Sequence, residues 1–128
     1  MDHPPPAILR LGLAQGQPQI DQPRPDRRVL GAPLRQTWTE HEAQGLSCGV
    51  WACEPGRWRI AFGPRKQEFF QVLQGRLRLH EPSGRYTELA AGDAALIPPG
   101  FVGEFEVLEP VRKHFVVQEL PDPNEGQE

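Results

Sequence analysis

Glu68 is the residue of this chain best placed to do chemistry. In an extended strand it shares a face with Phe70 and Val72, so its carboxyl group is expected to point into an apolar interior. A carboxylate in such a place is costly unless it is paired or protonated. Left unpaired, it could act as a general acid or base. Balanced by the ammonium or guanidinium group of a ligand, it would belong to a binding site. Glu68 is therefore the candidate catalytic residue, and whether the protein is an enzyme stays open.

The expected partner of Glu68 is Lys113, on the last long strand of the chain (residues 111–120). Alternation leaves the orientation of this strand ambiguous, because one face carries Lys113 among apolar neighbours and the other carries His114. If Lys113 points outward, the alternative partners are Arg57, Arg59 and Arg112.

Aromatic side chains surround the predicted position of Glu68. The predicted ligand pocket combines the aromatic residues that alternation turns inward with Glu68 and both candidates on the last strand. Its members are Trp51, Trp58, Phe62, Glu68, Phe70, Phe101, Phe105, Lys113 and His114. An apolar pocket with one acidic group is the usual composition of a small-molecule site. The alternative is that the rings simply fill a small barrel.

The elements that must position these residues are short strands. Between residues 36 and 120, turn signals containing Gly, Pro, Asn or Asp recur about every 7 to 12 residues, which is typical of an all-β sandwich or barrel. Residues 41–44 form at most one helical turn. Residues 1–35 hold 7 of the 15 prolines and are expected to be an extended or partly disordered arm, with one edge strand at 8–13. Residues 121–128 are expected to be a flexible tail.

Five segments between Gly49 and Val117 resemble the cupin superfamily, the RmlC-like jelly rolls. They are residues 49–51, 54–58, 68–75, 92–101 and 111–115, including the Glu68 to Gly75 and Gly92 to Pro98-Pro99-Gly100 spacings. The chain looks most similar to the small single-domain branch related to ureidoglycine aminohydrolase cupin domains. This resemblance implies an all-β fold, a double-stranded β-helix with a Pro-rich N-terminal arm.

The resemblance also implies where a metal would be bound. Related cupins use a His-x-His pair, a glutamate and a further histidine. Glu68 matches the glutamate, but the pair falls on Phe62 and Pro64, or on residues 61 and 63, and the last histidine falls on Gly103. One carboxylate cannot replace three or four ligands, so we predict no metal and no other cofactor, with a divalent metal as the disfavoured alternative. Gly103 is expected to leave open space.

Three functions remain open. The first is a metal-free barrel that binds a small molecule. The second is an enzyme, either similar to ureidoglycine aminohydrolase or similar to sugar epimerases. The third is a structural or regulatory subunit with a vestigial pocket.

The remaining expectations concern partners and location. Residues 68–73 are apolar on both faces and so are expected to be covered on both sides, by a second subunit or by another strand of the same chain. The resemblance to this cupin branch implies a homodimer paired through its sheets, with residues 8–13 as a candidate segment for exchange between the subunits. A net charge of −3 with scattered basic residues argues against nucleic acid, and no segment predicts a membrane span or a secretory signal. A cytoplasmic location is expected. Cys48 and Cys53 should point to opposite faces of one strand and form no disulfide with each other.

Overall fold

Two long antiparallel strands form the centre of the molecule. They are β6 (Lys66–His80) and β9 (Val102–Glu119). The structure is a computed structural model that describes residues 3–124. Within these residues the other strands are β1 (Gln19–Asp21), β2 (Arg28–Leu30), β3 (Arg35–Ala43), β4 (Leu46–Cys53), β5 (Gly56–Ala61), β7 (Tyr86–Ala90) and β8 (Ala94–Ile97). A 3-10 turn at Pro25–Arg27 precedes β2.

Strand β9 joins the two halves of the barrel. Its C-terminal half lies between β4 and the first part of β6, and its N-terminal half lies between β5 and the second part of β6. Strands β3 and β1 continue the sheet beyond β4, β2 continues it beyond β5, and β7 and β8 pair with the other edge of β6. The sheet thereby curls into two facing layers, and the predicted all-β jelly-roll fold is confirmed.

The bend between the layers requires a glycine. Gly75, in the middle of β6, has a φ of +89°, and a Cβ there would lie 2.0 Å from the carbonyl oxygen of Pro110 on β9. The register between β6 and β9 shifts at this point. No other residue type tolerates both the dihedral angle and the close approach, so the long strands turn from one layer into the other here.

Side chains alternate along the strands as the sequence predicted. On β5, Trp58 is buried and Ile60 packs against the core, while Arg59 is exposed. On β9, Lys113 is buried together with Val111 and Phe115, which decides the ambiguous last strand in favour of Lys113. The core consists of Cys53, Trp58, Phe70, Val72, Leu77, Leu79, Leu89, Ile97, Phe105, Val107, Val111 and Phe115.

The N-terminal segment differs from the expectation. Residues 8–13 form no strand, whereas β1 pairs with β3 and β2 pairs with β5. Residues 12–16, which we call the docked segment, lie against the outer face of the sheet, where Gly12 approaches His114 and the carbonyl oxygen of Gly16 accepts a hydrogen bond from Trp38 Nε1. The Glu40 carboxylate accepts hydrogen bonds from the backbone N–H groups of Gly12 (2.7 Å) and Ala14 (3.0 Å). The predicted edge strand is wrong because a side chain, rather than a strand edge, satisfies these amide groups.

One further expectation about local structure is corrected. Residues 41–43 belong to β3 rather than to a helical turn, and the chain reverses at Gln44 and Gly45, which both have positive φ. Within residues 3–124, the outer face of residues 68–73 stays partly exposed, with Phe69 and Leu73 48% and 40% exposed. Residues 121–124 carry no strand. The rest of the predicted tail, 125–128, and the start of the arm, residues 1 and 2, lie outside the described residues.

The two cysteines are free and both are buried. Cys53 belongs to the core cluster whereas Cys48 does not, in agreement with the predicted opposite faces. Burial raises the pKa of the Cys53 thiol to about 12 and also raises the pKa of Cys48.

Across residues 3–124, the structure has no helix of the length and apolarity that a membrane span needs.

Candidate functional site

An ion pair lies inside the barrel between its two longest strands. Lys113 on β9 donates a hydrogen bond from Nζ to Oε2 of Glu68 on β6, at 2.8 Å. The two side chains are 5% and 14% exposed. The pairing of Glu68 with Lys113 that the sequence favoured is therefore confirmed, and the buried carboxylate is neutralised by a neighbouring cation.

Three aromatic rings surround the ammonium group of Lys113. Its Nζ lies 4.4 Å from the ring centroid of Trp51, 4.2 Å from that of Phe70 and 4.9 Å from that of Phe105. The faces of these rings carry partial negative charge, so they stabilise a cation that has lost most of its water. Glu68 and the three rings together hold one positive charge at a fixed point of the interior.

A cavity of about 290 Å³ opens next to this ion pair. Its lining comes from seven strands and from Phe62, which lies between β5 and β6. The residues are Asp21, Arg35, Thr37, Trp51, Trp58, Ile60, Phe62, Lys66, Glu68, Ile97, Phe105, Lys113, Phe115 and Val117. The volume is near the lower end of the range for small-molecule sites, so the cavity suits a ligand of about one ring in size.

Aromatic side chains form one wall of the cavity. Trp58 and Phe105 face each other across the paired strands β5 and β9 and stack with centroids 5.1 Å apart and planes 20° apart. Trp51 meets the edge of Phe105 at 5.5 Å and 73°. Such contacts hold each ring in one orientation, which produces a rigid flat surface for an apolar ligand.

Charged side chains also line the cavity. Arg35 on β3 makes a two-pronged ion pair with Asp21 on β1, at 2.9 and 2.7 Å, and its guanidinium group lies 5.3 Å from the centroid of Trp58. Lys66 lies 4.8 Å from the centroid of Phe62. The lining thus combines an aromatic wall, two ion pairs and one additional lysine.

Six of the nine predicted pocket residues line this cavity: Trp51, Trp58, Phe62, Glu68, Phe105 and Lys113. Phe70 is fully buried behind the ammonium group of Lys113. Phe101 lines a different cleft beside β8. His114 lies on the outer face, where its Nε2 atom would be 2.8 Å from a Cβ on Gly12. Its inclusion in the pocket is wrong because the neighbouring Lys113 takes the inward direction.

Four polar or charged residues of the lining, Asp21, Arg35, Thr37 and Lys66, were not predicted from the sequence. Lys66 precedes Glu68 by two positions on β6, so extending the alternation by one step would have placed it on the same face. Arg35 and Thr37 alternate in the same way at the start of β3. Asp21 carries no such signal, because β1 reaches the site only through its pairing with β3.

The alternative arginine partners of Glu68 are engaged elsewhere. Arg57 pairs with Glu104 on the outside of β5, beside a second cleft of about 610 Å³. Arg59 lines the same cleft. Arg112 lies over the ring of Trp38 on the outer face. Neither Glu68, Lys113 nor the stacked rings of Trp58 and Phe105 line this second cleft.

The residues around Glu68 do not fit a metal ion. Residues 3–124 contain no group of three or more His, Cys, Asp or Glu side chains able to hold one. Phe62 occupies one implied histidine position. At Gly103 a Cβ would lie 2.1 Å from the carbonyl oxygen of His80 and 2.6 Å from the ring of Phe101. The open space expected at Gly103 is wrong, because the backbone of β6 and the ring of Phe101 already fill it.

Comparison with known proteins identifies related sequences and folds. Residues 40–115 match the family model of the EutQ-like cupin domain. No curated protein matches the chain. Among solved structures, a protein of unknown function of the DUF861 family from Pseudomonas syringae aligns with a TM-score of 0.73 and 22% identity, covering 84% of this chain and 46% of that one. This chain therefore spans about half of the length of the Pseudomonas protein.

Two EutQ proteins are also similar in structure. EutQ of Clostridium difficile has a TM-score of 0.61 at 20% identity, covering 68% of this chain and 69% of its own. A EutQ protein of Salmonella typhimurium has the same TM-score and identity, covering 82% of this chain and 98% of its own. At these identities the structural likeness shows a shared fold and nothing about activity.

Proposed function

This chain belongs to the EutQ-like cupin family, and we propose that its barrel binds a small organic molecule without the help of a metal ion. The predicted membership of the cupin superfamily is confirmed by the matching residues 40–115. The closer likeness to ureidoglycine aminohydrolase cupin domains stays a prediction.

The ion pair of Glu68 and Lys113 beside an aromatic cavity is the observation that carries this proposal. The 2.8 Å contact neutralises the carboxylate with a charge that belongs to the protein itself. Lys113 thus supplies the positive charge that a metal ion would supply beside the glutamate of a related barrel. The cavity of about 290 Å³ leaves room for a ligand against Trp58 and Phe105.

The alternative functions find less support. Glu68 is already bound to Lys113, and the cavity lining includes no histidine or tyrosine that could share proton transfer with it. A sugar-epimerase-like activity would need such a group, whereas a ureidoglycine aminohydrolase-like activity would need a metal ion. The hypothesis of a structural or regulatory subunit with a vestigial pocket would be favoured by a barrel filled with side chains, whereas this barrel contains a cavity.

The proposal includes a homodimer and a cytoplasmic location. Phe69 on β6 and Leu96 on β8 are paired neighbours on the outer face, 48% and 56% exposed, and Leu73 lies further along β6. Both edges of β6 are already paired, so this apolar face can be covered by packing but not by an added strand. A second copy of the chain suits it, because a flat sheet face can pack against itself around a twofold axis. The cytoplasmic location rests on the sequence alone.

A ligand-observed NMR screen of small neutral, acidic and basic compounds tests the proposed binding. Thr37 lines the cavity from β3, so Thr37→Phe should fill it and abolish the binding that the screen detects in the natural protein. Thr39→Phe is the matched control, since Thr39 is exposed on the same strand and is absent from the lining. Binding that survives Thr37→Phe, or no binding by any compound, would contradict the proposal.

Elemental analysis of the purified protein tests the second half of the proposal. We expect only traces of transition metal, and we expect binding of the NMR hits to be unaffected by a chelator. Near-stoichiometric manganese, zinc or iron would show that the barrel holds a metal after all.

A further inference from the structure

The distribution of lysine in this chain points to the cavity. Of the 14 basic residues, Lys66 and Lys113 are the two lysines and the other twelve are arginines. Both lysines line the same cavity. Lys113 is buried against Glu68, whereas Lys66 is partly exposed.

The charges of the lining do not cancel. Arg35 is balanced by Asp21, and Lys113 is balanced by Glu68. Within residues 3–124, Lys66 forms no ion pair, and its ammonium group rests on the ring of Phe62 instead. The charged side chains of the lining therefore sum to one net positive charge, which Lys66 contributes.

The approach to Lys66 is basic as well. An adjoining cleft of about 330 Å³ shares Arg35, Trp58, Ile60, Phe62 and Lys66 with the cavity. Its remaining lining consists of Pro23, Arg24, Arg27, Arg59 and Ala61, so five basic residues and no acidic residue line the cleft. Arg24 does approach Asp26 at 3.6 Å, but both side chains are largely exposed and such pairs are weak.

We infer that the ligand is a small organic anion with a flat apolar body, held at its charged end by Lys66. This inference rests on the proposed binding function and names its ligand class. A chain with a net charge of −3 that gathers five basic residues at one cleft attracts anions to that cleft and repels cations. The flat body stacks on Trp58 and Phe105, and the anionic group accepts a charge-assisted hydrogen bond from Lys66.

Three probes with the same ring and different charge test the inference: benzoate, benzyl alcohol and benzylamine. Trp51 and Trp58 line the cavity, so tryptophan fluorescence reports occupancy, and calorimetry gives the dissociation constants. A hydrogen bond to a charged group is typically strong enough for benzoate to bind roughly tenfold or more tightly than benzyl alcohol. Benzylamine should bind most weakly, and added salt should weaken benzoate alone.

Variants of Lys66 assign the anion contact. Lys66→Met should lower benzoate affinity about tenfold while leaving benzyl alcohol unchanged, and Lys66→Arg should retain most of the benzoate affinity. Arg85→Met is the control, because it removes the same charge from a residue that lines neither the cavity nor the cleft. Benzoate should also slow acylation of Lys66 by an amine reagent, as read by peptide mass spectrometry.

The outcomes separate this inference from the function on which it rests. Equal affinity for benzoate and benzyl alcohol would overturn the anion preference and leave small-molecule binding standing. An unchanged benzoate affinity in Lys66→Met would overturn the role of Lys66. If none of the three probes binds, the inferred ligand class is wrong, and the broader NMR screen alone decides whether the barrel binds small molecules.

Discussion

Replacing Lys113 with methionine probes the ion pair on which the interior of this barrel depends. Methionine keeps an unbranched side chain of similar length, so it can fill the space between Trp51 and Phe105. It removes the ammonium group that lies 2.8 Å from Glu68. The carboxylate is then left among aromatic side chains without a counter-charge.

The expected cost of Lys113→Met follows from the burial of the pair. Removing one partner of a buried ion pair typically destabilises a protein by about 3–5 kcal/mol. Glu68 is 14% exposed and lines the cavity, where water can reach it, so the lower end applies, ~3 kcal/mol. For a chain of 128 residues this lowers Tm by about 10 °C. Thermal and urea unfolding at pH 7 measure both quantities.

Matched variants separate the charge from the packing. Lys66→Met removes the other lysine, which forms no ion pair with any residue between 3 and 124, and should cost less than about 1 kcal/mol. The double variant Lys113→Met/Glu68→Gln leaves no charge unpaired and should recover most of the lost stability, which a double-mutant cycle reports as the coupling energy. A cost of Lys113→Met equal to that of Lys66→Met would refute this account.

Three other predictions concern the rest of the molecule. Phe69→Glu should convert a dimer into a monomer in light scattering, while Leu30→Glu, at a more exposed apolar residue away from that face, should not. A natural protein that is already monomeric would contradict the proposed dimer. Cys48 and Cys53 should react with a thiol reagent at pH 8 far more slowly in the native protein than in denaturant, because burial raises both pKa values, and rapid native labelling of Cys53 would be inconsistent with its position in the core. Desolvation raises the pKa of Glu40, but the hydrogen bonds that its carboxylate accepts from backbone N–H groups of the docked segment lower this pKa by more. These hydrogen bonds therefore stabilise the folded protein at pH values above the unfolded pKa of Glu40, and this stabilisation is lost as the pH falls through the lower pKa of the folded state. The hydrogen-exchange protection factors of the docked segment should accordingly fall on acidification and in Glu40→Gln at pH 7, and unchanged protection in that variant would show that other contacts hold the segment.

Much of the interior was predictable from residue types and the two-residue period of strands. Alternation on β5 and β6 placed Trp58 and Glu68 on inward faces, because successive side chains of a strand point to opposite sides. The cost of a buried carboxylate then required a cation, and Lys113 was the candidate with apolar neighbours at the same parity. The glycine at position 75 marked the bend, since only glycine fits its φ of +89° beside Pro110.

The sequence alone thus determined which side chains of β5 and β6 face inward and that Glu68 needs a positive partner. The tertiary structure decided which of these side chains meet around one cavity. Parity gives the face of a residue but not its neighbour across strands, because register depends on pairing and bulges far along the chain. For this reason the sequence did not predict that Asp21 and Arg35 line the cavity. It also did not predict that Phe101 fills the space at Gly103, or that His114 lies on the outer face beside Gly12.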